Sequence, residues 1–105
     1  MKYATVFRPD AQEQLRKIDR STALTILRKL GELEKDPYAF GTTELVSRPG
    51  VRRLRVGTYR VFYTVDGGEL VIVVVAVAPQ RRVRLGPTHH GYPRLALSEL
   101  ALRLG

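Results

Sequence analysis

The pattern of apolar positions changes from a strand-like to a helical period near the start of the chain. Residues 2–7, KYATVF, alternate in polarity, which is typical of a strand. Ala11, Leu15 and Ile18 then follow at spacings of four and three residues. Such spacing places all three side chains on one side of a helix, so an amphipathic helix is predicted over about 9–18.

A second helical period begins after a short connection at residues 19–20. Ser21 is suited to cap its start, because a serine hydroxyl accepts a hydrogen bond from the free N–H groups of a first turn. The helix is expected to end just before Pro37, since proline disfavours helical geometry in the preceding residue. The two helices are therefore predicted to form an antiparallel hairpin, followed by a loop over 38–50.

Three apolar-rich runs predict strands over about 51–56, 59–65 and 70–78. Glycine-containing pairs at 57–58 and 67–68 supply turns of the right length between them. The third run is apolar on both faces, as expected of a central strand or one covered on both sides. The predicted fold class is α+β: an N-terminal strand, an antiparallel helix hairpin, a three-strand antiparallel meander forming a small twisted sheet, and a C-terminal helix.

Alternation along the first hairpin brings arginines together. With a two-residue turn at 57–58, Arg55 lies opposite Arg60, and Arg53 shares their face, away from the core. Like charges placed directly opposite each other destabilise a sheet. Either the three side chains splay apart into solvent, or they bind an anion such as phosphate, which accepts charge-assisted hydrogen bonds.

Phe62 and Arg52 are two further candidate RNA-binding residues. Phe62 falls on the same face and would either stack on a base, as in readers of single-stranded RNA, or be covered by the C-terminal segment. Arg52 falls on the core side by parity, at a strand end from which it could reach water and bind RNA.

Composition and charge narrow the class of protein. The chain of 105 residues is long enough for one domain, and its 44% hydrophobic content supports a core. Its net charge is +8, and residues 48–105 hold ten arginines against three acidic residues, whereas residues 1–47 are nearly neutral. A GC-rich genome would explain many arginines but not their concentration in one half. The partner is expected to be nucleic acid, an acidic protein or a membrane surface.

The sequence excludes several classes of protein and of functional site. The chain has no cysteine, which favours a reducing cytoplasm. Its N-terminus has no apolar run typical of a signal peptide, and its longest apolar run, 70–78, is far shorter than the ~20 residues of a spanning helix. There is no P-loop, no Ser-His-Asp arrangement and no metal-ligand spacing. A soluble cytoplasmic protein without metal or cofactor is expected.

The run RRLRVGTYRVFYTVDGGELVIVVVAV, preceded by a strand and two helices, resembles the RelE/ParE superfamily of type II toxin–antitoxin toxins. The pattern Leu-Arg-Val-Gly-x-Tyr-Arg-Val-x-Tyr carries the likeness, which covers about residues 1–78. It implies a toxin domain over 1–85. Residues 86–105 are predicted to form a linker and a C-terminal amphipathic helix that belongs to the same domain or forms an oligomer contact. The likeness also implies a cognate antitoxin as partner.

RelE-like members of this superfamily are ribosome-dependent mRNA endonucleases in which the ribose 2′-hydroxyl attacks the adjacent phosphate. The resemblance places Arg53, Arg55 and Arg60 on the family's basic catalytic positions, in agreement with the alternation of the strands. We therefore expect an mRNA interferase that acts on the ribosome and inhibits translation. Two alternatives stay open: a ParE-like inhibitor of DNA gyrase, and a member with weakened cleavage that binds its antitoxin or RNA.

The segment after the third strand departs from the family pattern. The family commonly has Gly-His-Arg or Gly-Lys-Arg there, with a tyrosine shortly afterwards, whereas this chain has VAPQRRVRLGP. Without a gap, Gln80 falls on the family arginine and Arg84 on the tyrosine, and a one-residue slip puts Arg81 on the arginine. Arg81 is accordingly expected to be catalytic, and Arg82 and Arg84 to bind RNA.

The tail PRLALSELALRL, residues 93–104, has an apolar stripe at helical spacing. A stripe of this width needs a partner. It is expected to fold onto the chain's own sheet, with two alternatives: pairing with a second copy, or imitation of an antitoxin helix. A homodimer and a toxin–antitoxin hetero-oligomer both stay open.

Overall fold

A six-stranded sheet and two helices make up the described part of the chain, which covers residues 2–39, 41–79 and 95–96 of this computed structural model. The elements in chain order are β1 (Ala4–Phe7), α1 (Pro9–Arg16), α2 (Arg20–Leu33), β2 (Thr42–Glu44), β3 (Val51–Val56), β4 (Tyr59–Asp66), β5 (Val71–Pro79) and β6 (Leu95–Ala96). None of the described helices has the length and apolar character needed to cross a membrane.

The strands are ordered β2-β3-β4-β5-β1-β6 across the sheet. Strands β3, β4 and β5 form the predicted antiparallel meander, and β1 joins it in parallel beside β5. Phe7 pairs with Val74, so the first strand of the sequence lies next to the last strand of the meander. The α+β prediction is confirmed, and the strongly apolar β5 is central, as expected of a run without a polar face.

Strand β2 lies inside the segment 38–50, for which the sequence predicted only a loop. Its Thr43 pairs with Arg53, which makes β2 an edge strand of the sheet. The three residues of β2 are all polar, so they carry none of the hydrophobic alternation from which strands are predicted. Pairing with β3 decides their conformation.

The second helix begins at a different cap from the predicted one. Asp19, not Ser21, is the N-cap, and its carboxylate accepts a hydrogen bond of 2.9 Å from the backbone N–H of Thr22. This hydrogen bond holds the pKa of Asp19 below its usual value of 3.8. The helix ends at Leu33, a few residues before the predicted stop at Pro37.

The core lies between the helices and one face of the sheet. The helices contribute Ala11, Leu15, Ala23, Ile26, Leu27, Leu30 and Leu33, and the strands contribute Phe7, Leu54, Val56, Val61, Tyr63, Ile72, Val74 and Val77. The buried Tyr63 hydroxyl also donates a hydrogen bond of 2.6 Å to the carbonyl of Pro37. The segment that follows α2 is thereby tied to the middle of the sheet.

Helix α1 is fixed to the sheet by a polar contact beyond the end of β1. The pairing of β1 with β5 ends at Phe7 and Val74, and beyond it the edge of β5 needs another partner. The backbone N–H of Val77 donates a hydrogen bond of 2.6 Å to the side-chain oxygen of Gln14. Gln12 adds a second contact, because its amide donates to the carbonyl of Phe7 at 3.0 Å.

Strand β6 corrects the prediction for the tail at two positions. Leu95 and Ala96, which were predicted to be helical, pair antiparallel with Phe7 and Val6 of β1. Exposed backbone groups at the edge of β1 offer hydrogen bonds that override the helical spacing there. The other residues of the predicted helix over 93–104, and the predicted linker before it, lie outside the described residues.

Candidate nucleic-acid interface

The β3–β4 hairpin has the register that its turn predicts. Arg55 pairs with Arg60 and Arg53 with Phe62. Gly57, the first residue of the turn, has a φ of +58°, a left-handed value that favours glycine over other residues. The three arginines therefore share the sheet face opposite the helices, which we call the arginine face.

Burial on the opposite side keeps the arginines on this face. Leu54 lies between Arg53 and Arg55 in sequence and is buried in the core, as are Val56 and Val61. A slip of one residue would send these apolar side chains to the other side and bring the arginines into the core. The hydrophobic core thus determines where the charges point.

The positive charge of the arginine face is not balanced by the part of the chain that the structure describes. Arg55 is exposed, Arg53 and Arg60 are half-buried, and none of them forms an ion pair or side-chain hydrogen bond with a described residue. The acidic residue of β4 on this face, Asp66, lies about 20 Å along the strand from Arg60. Its carboxylate accepts hydrogen bonds from the backbone of the following turn.

Residues directly opposite each other in a ladder have Cβ atoms about 4.5–5.5 Å apart, so the guanidinium groups of Arg55 and Arg60 can converge on one anion. A phosphate suits this arrangement because it accepts several charge-assisted hydrogen bonds from the planar forks of arginine. The arginine face can therefore bind a phosphate and stabilise negative charge that grows on it.

Phe62 does not offer the open stacking surface that was one of its two predicted roles. It lies on the arginine face beside Ala76, but its relative exposure is only 1%. A base cannot stack on a ring that is covered, so the structure does not support a stacking role for Phe62. Phe62 and Ala76 form an apolar floor next to the arginines.

Arg52 is separated from the arginine face. Its guanidinium carbon lies 5.0 Å from the centre of the Tyr38 ring, and Nη2 donates a hydrogen bond of 2.8 Å to the Thr42 hydroxyl. Its Nε is buried. These contacts hold Arg52 on the helix side of the sheet, joining β3 to β2 and to the segment after α2, so the structure does not bring it together with the other three.

The remaining predicted site residues, Arg81, Arg82 and Arg84, lie outside the described residues. Among the residues that are described, the arginine face carries no tyrosine and no histidine, since Tyr59 and Tyr63 both point into the core side. The described part of the face can therefore stabilise charge, but next to the three arginines it supplies no group suited to take a proton near neutral pH.

Arg8 is a basic residue that the sequence pattern did not single out. It directly follows Phe7 at the end of β1, and its backbone is still extended, with φ −70° and ψ 155°. Only 8% of the residue is exposed. Strand alternation continued one residue beyond Phe7 places Arg8 on the arginine face. The sequence pattern could not show this, because it does not reveal which strand pairs with β1.

Comparison with known proteins identifies one protein family. The sequence model for "ParE toxin of type II toxin-antitoxin system, parDE" matches residues 5–84. This match includes the whole β3–β4–β5 meander and both helices. No curated protein sequence matches the chain significantly.

Solved structures share the fold. The toxin–antitoxin complex RelBE2 of Mycobacterium tuberculosis aligns with a TM-score of 0.68 and 24% identity, over 75% of this chain and 99% of that one. A double arginine-to-alanine mutant of the Escherichia coli toxin RelE, in the free state, aligns with a TM-score of 0.67 and 25% identity, over 77% and 86%. The RelE–RelB complex of the archaeon Pyrococcus horikoshii aligns with a TM-score of 0.66 and 24% identity, over 79% and 100%.

Proposed function

Since the chain belongs to the family of ParE toxins of type II toxin–antitoxin systems, we propose that it acts as an endoribonuclease that cleaves mRNA on the ribosome. The observation that carries this proposal is the pairing of Arg55 with Arg60, beside Arg53, on a face where no described acidic group balances them. Two opposed arginines destabilise the hairpin, and a bound RNA phosphate would relieve their repulsion by accepting hydrogen bonds from both.

In the proposed reaction the ribose 2′-hydroxyl attacks the neighbouring phosphorus. A bond forms between the 2′ oxygen and phosphorus while the bond to the 5′ oxygen breaks, which leaves a 2′,3′-cyclic phosphate and a free 5′-hydroxyl. The 2′-hydroxyl loses a proton and the leaving 5′ oxygen gains one. Charge on the nonbridging oxygens rises in the transition state, and Arg53, Arg55 and Arg60 are placed to stabilise it.

Proton transfer requires a group other than the described arginines, because a guanidinium stays protonated at neutral pH and is a poor base. The chain leaves β5 at Pro79, which pairs with Tyr59 at the same end of the sheet as Arg55 and Arg60. We therefore propose Arg81 as a further catalytic residue and Arg82 and Arg84 as RNA-binding residues. Water or a ribosomal group would serve as the base.

A second candidate function, inhibition of DNA gyrase, is favoured by the family match, since the family model is that of ParE toxins. Gyrase inhibition is a protein-binding activity and would not need convergent phosphate ligands. We favour RNA cleavage over gyrase inhibition, because no described acidic residue neutralises the Arg55–Arg60 pair.

We also propose that a cognate antitoxin binds this chain. Two of the structures that share its fold are complexes of a toxin with an antitoxin. A protein of net charge +8 suits an acidic partner segment, and such a partner would suppress toxicity by covering the arginine face.

A translating extract supplied with the purified protein tests the proposed function. Mapping RNA ends should reveal ribosome-dependent breaks that carry 5′-hydroxyl groups and cyclic phosphates. A parallel supercoiling assay with purified gyrase measures the second candidate. Intact mRNA together with inhibited gyrase would reject RNA cleavage in favour of gyrase inhibition, and intact mRNA with active gyrase would leave neither function standing.

A further inference from the structure

Most of the Arg8 side chain is buried, but its guanidinium nitrogens are not among the described side-chain atoms that are fully buried without a partner. The residue is 8% exposed, and within the described part of the chain its guanidinium has no ion pair and no hydrogen bond. It is the N-cap of α1 but makes no side-chain capping bond. The charged end of the side chain therefore reaches the surface while its stem packs against the protein. A positive charge is disfavoured at the N-terminal end of a helix, where an anion is favoured, and Asp10 is the acidic residue in the first turn of α1.

The sheet places Arg8 on the arginine face. Its backbone N–H donates a hydrogen bond of 3.0 Å to the carbonyl of Val74, which extends the pairing of β1 with β5 by one residue. Phe7, directly before it, points into the core. Side chains alternate along an extended chain, so that of Arg8 lies on the opposite side of the sheet.

Arg8 also lies near the level of Arg53 across the sheet. Arg53 pairs with Phe62, and Phe62 pairs with Ala76. Arg8 follows Phe7, which pairs with Val74. The ladder between β4 and β5 shifts register at this point, so that Ala76 rather than Val75 lies opposite Phe62. Arg53, Phe62 and Ala76 therefore form a row across three strands, and Arg8 lies on the fourth strand, one residue beyond the Phe7–Val74 pair. Two strand spacings, about 10 Å in all, separate β1 from β4.

From this arrangement we propose that Arg8 is a further RNA-binding residue, which contacts a backbone phosphate next to the one held by Arg55 and Arg60. The proposal rests on the proposed RNA cleavage and adds a second phosphate subsite to it. The RNA strand would cross β4 and β5 above Phe62 and Ala76, which are buried and would not contact it. One phosphate would lie at the hairpin arginines and its neighbour at Arg8, which would position the strand for attack at the first.

Binding of a short single-stranded RNA with 2′-O-methyl groups tests this subsite, because the blocked hydroxyl prevents cleavage. The dissociation constant is measured over a series of salt concentrations for the unmodified protein and for Arg8→Gln, Arg60→Gln and Arg28→Gln. Arg28 lies exposed on α2, away from the arginine face, so its variant is the control for the loss of one charge. Each phosphate contact on a single strand adds about 0.7 to the slope of log affinity against log salt.

We expect Arg8→Gln and Arg60→Gln each to lower the slope by about 0.7, and Arg28→Gln to leave it unchanged. If only Arg60→Gln lowers the slope, the Arg8 subsite is rejected and the proposed function stands. If only Arg8→Gln lowers it, the subsite stands and the role of the hairpin arginines is rejected. If the unmodified protein does not bind the RNA, both the Arg8 subsite and the proposed RNA cleavage are rejected.

A measurement on the unmodified protein covers the case in which Arg8→Gln does not fold. The Nε–H resonance of Arg8, assigned with the charge-conserving variant Arg8→Lys, is followed by NMR during titration with the same RNA. A shift that saturates together with that of Arg60 supports the subsite. An Arg8 signal that stays in place while that of Arg60 moves overturns it.

Discussion

Arg55 and Arg60 lie directly opposite each other in the β3–β4 ladder, on the side of the sheet away from the helices. No described residue neutralises either of them. A cross-strand pair of like charges opposes folding, so a function that needs both charges explains the arrangement better than stability does. Removing one charge should therefore affect activity and stability in opposite directions.

Arg60→Ala should abolish most RNA cleavage and leave the fold intact. The loss of one group that stabilises transition-state charge typically lowers a rate by ~10²-fold or more. Cleavage rates in a translating extract and a thermal melt measure the two effects. Arg28→Ala, which removes a charge from the exposed surface of α2, should keep the activity. A fully active Arg60→Ala would mean that the phosphate lies elsewhere.

Arg55→Glu should stabilise the protein while it inactivates it. The new carboxylate would face Arg60 across the ladder, and a cross-strand pair of opposite charges contributes roughly 0.2–1 kcal/mol. The same change places a negative charge where the phosphate is expected to bind. Urea denaturation and the RNA cleavage assay are the two measurements. A variant that is less stable than the parent would show that the two arginines already splay apart.

Gln14→Ala should lower the free energy of unfolding by about 1–3 kcal/mol, because it leaves the backbone N–H of Val77 without an acceptor. Gln14→Glu keeps an oxygen in that position and is the matched control. Chemical denaturation of the three proteins gives the comparison. Equal losses in both variants would assign the effect to packing rather than to the hydrogen bond.

The cap at Asp19 predicts a pH dependence of stability. Its folded-state pKa is lowered because the carboxylate accepts a hydrogen bond from Thr22, so folding is favoured when the group is ionised. The contribution of the ionised Asp19 cap to folding stability should be fully present above the ordinary pKa of about 4. It should be lost as pH falls through the lowered folded-state pKa. Melting temperatures between about pH 2 and pH 6 measure this dependence.

Two variants separate the charge of Asp19 from its role as a cap. Asp19→Asn keeps a side-chain acceptor and should remove this part of the acid dependence, whereas Asp19→Ala should lower the melting temperature even near neutral pH. An unchanged melting temperature in Asp19→Ala would show that the start of α2 is held by tertiary packing alone.

The sequence by itself determined the elements whose signals are local. The glycine turn at 57–58 sets the register of the hairpin, and alternation around Leu54 then assigns Arg53, Arg55 and Arg60 to one face. Both helices follow from their apolar spacing. The cap was placed two residues too late, because Asp19 and Ser21 are both good caps and only the path of the chain chooses between them.

The tertiary structure decided whatever depends on residues far apart in the chain. Strand β2 forms because β3 offers it hydrogen bonds, Phe62 is covered, and Arg52 is held by Tyr38 and Thr42 on the helix side. Arg8 joins the arginine face only because β1 lies beside β5, more than sixty residues later in the chain. Turn geometry and alternation act between neighbours, whereas the pairing of distant strands depends on the total apolar surface that the whole chain buries.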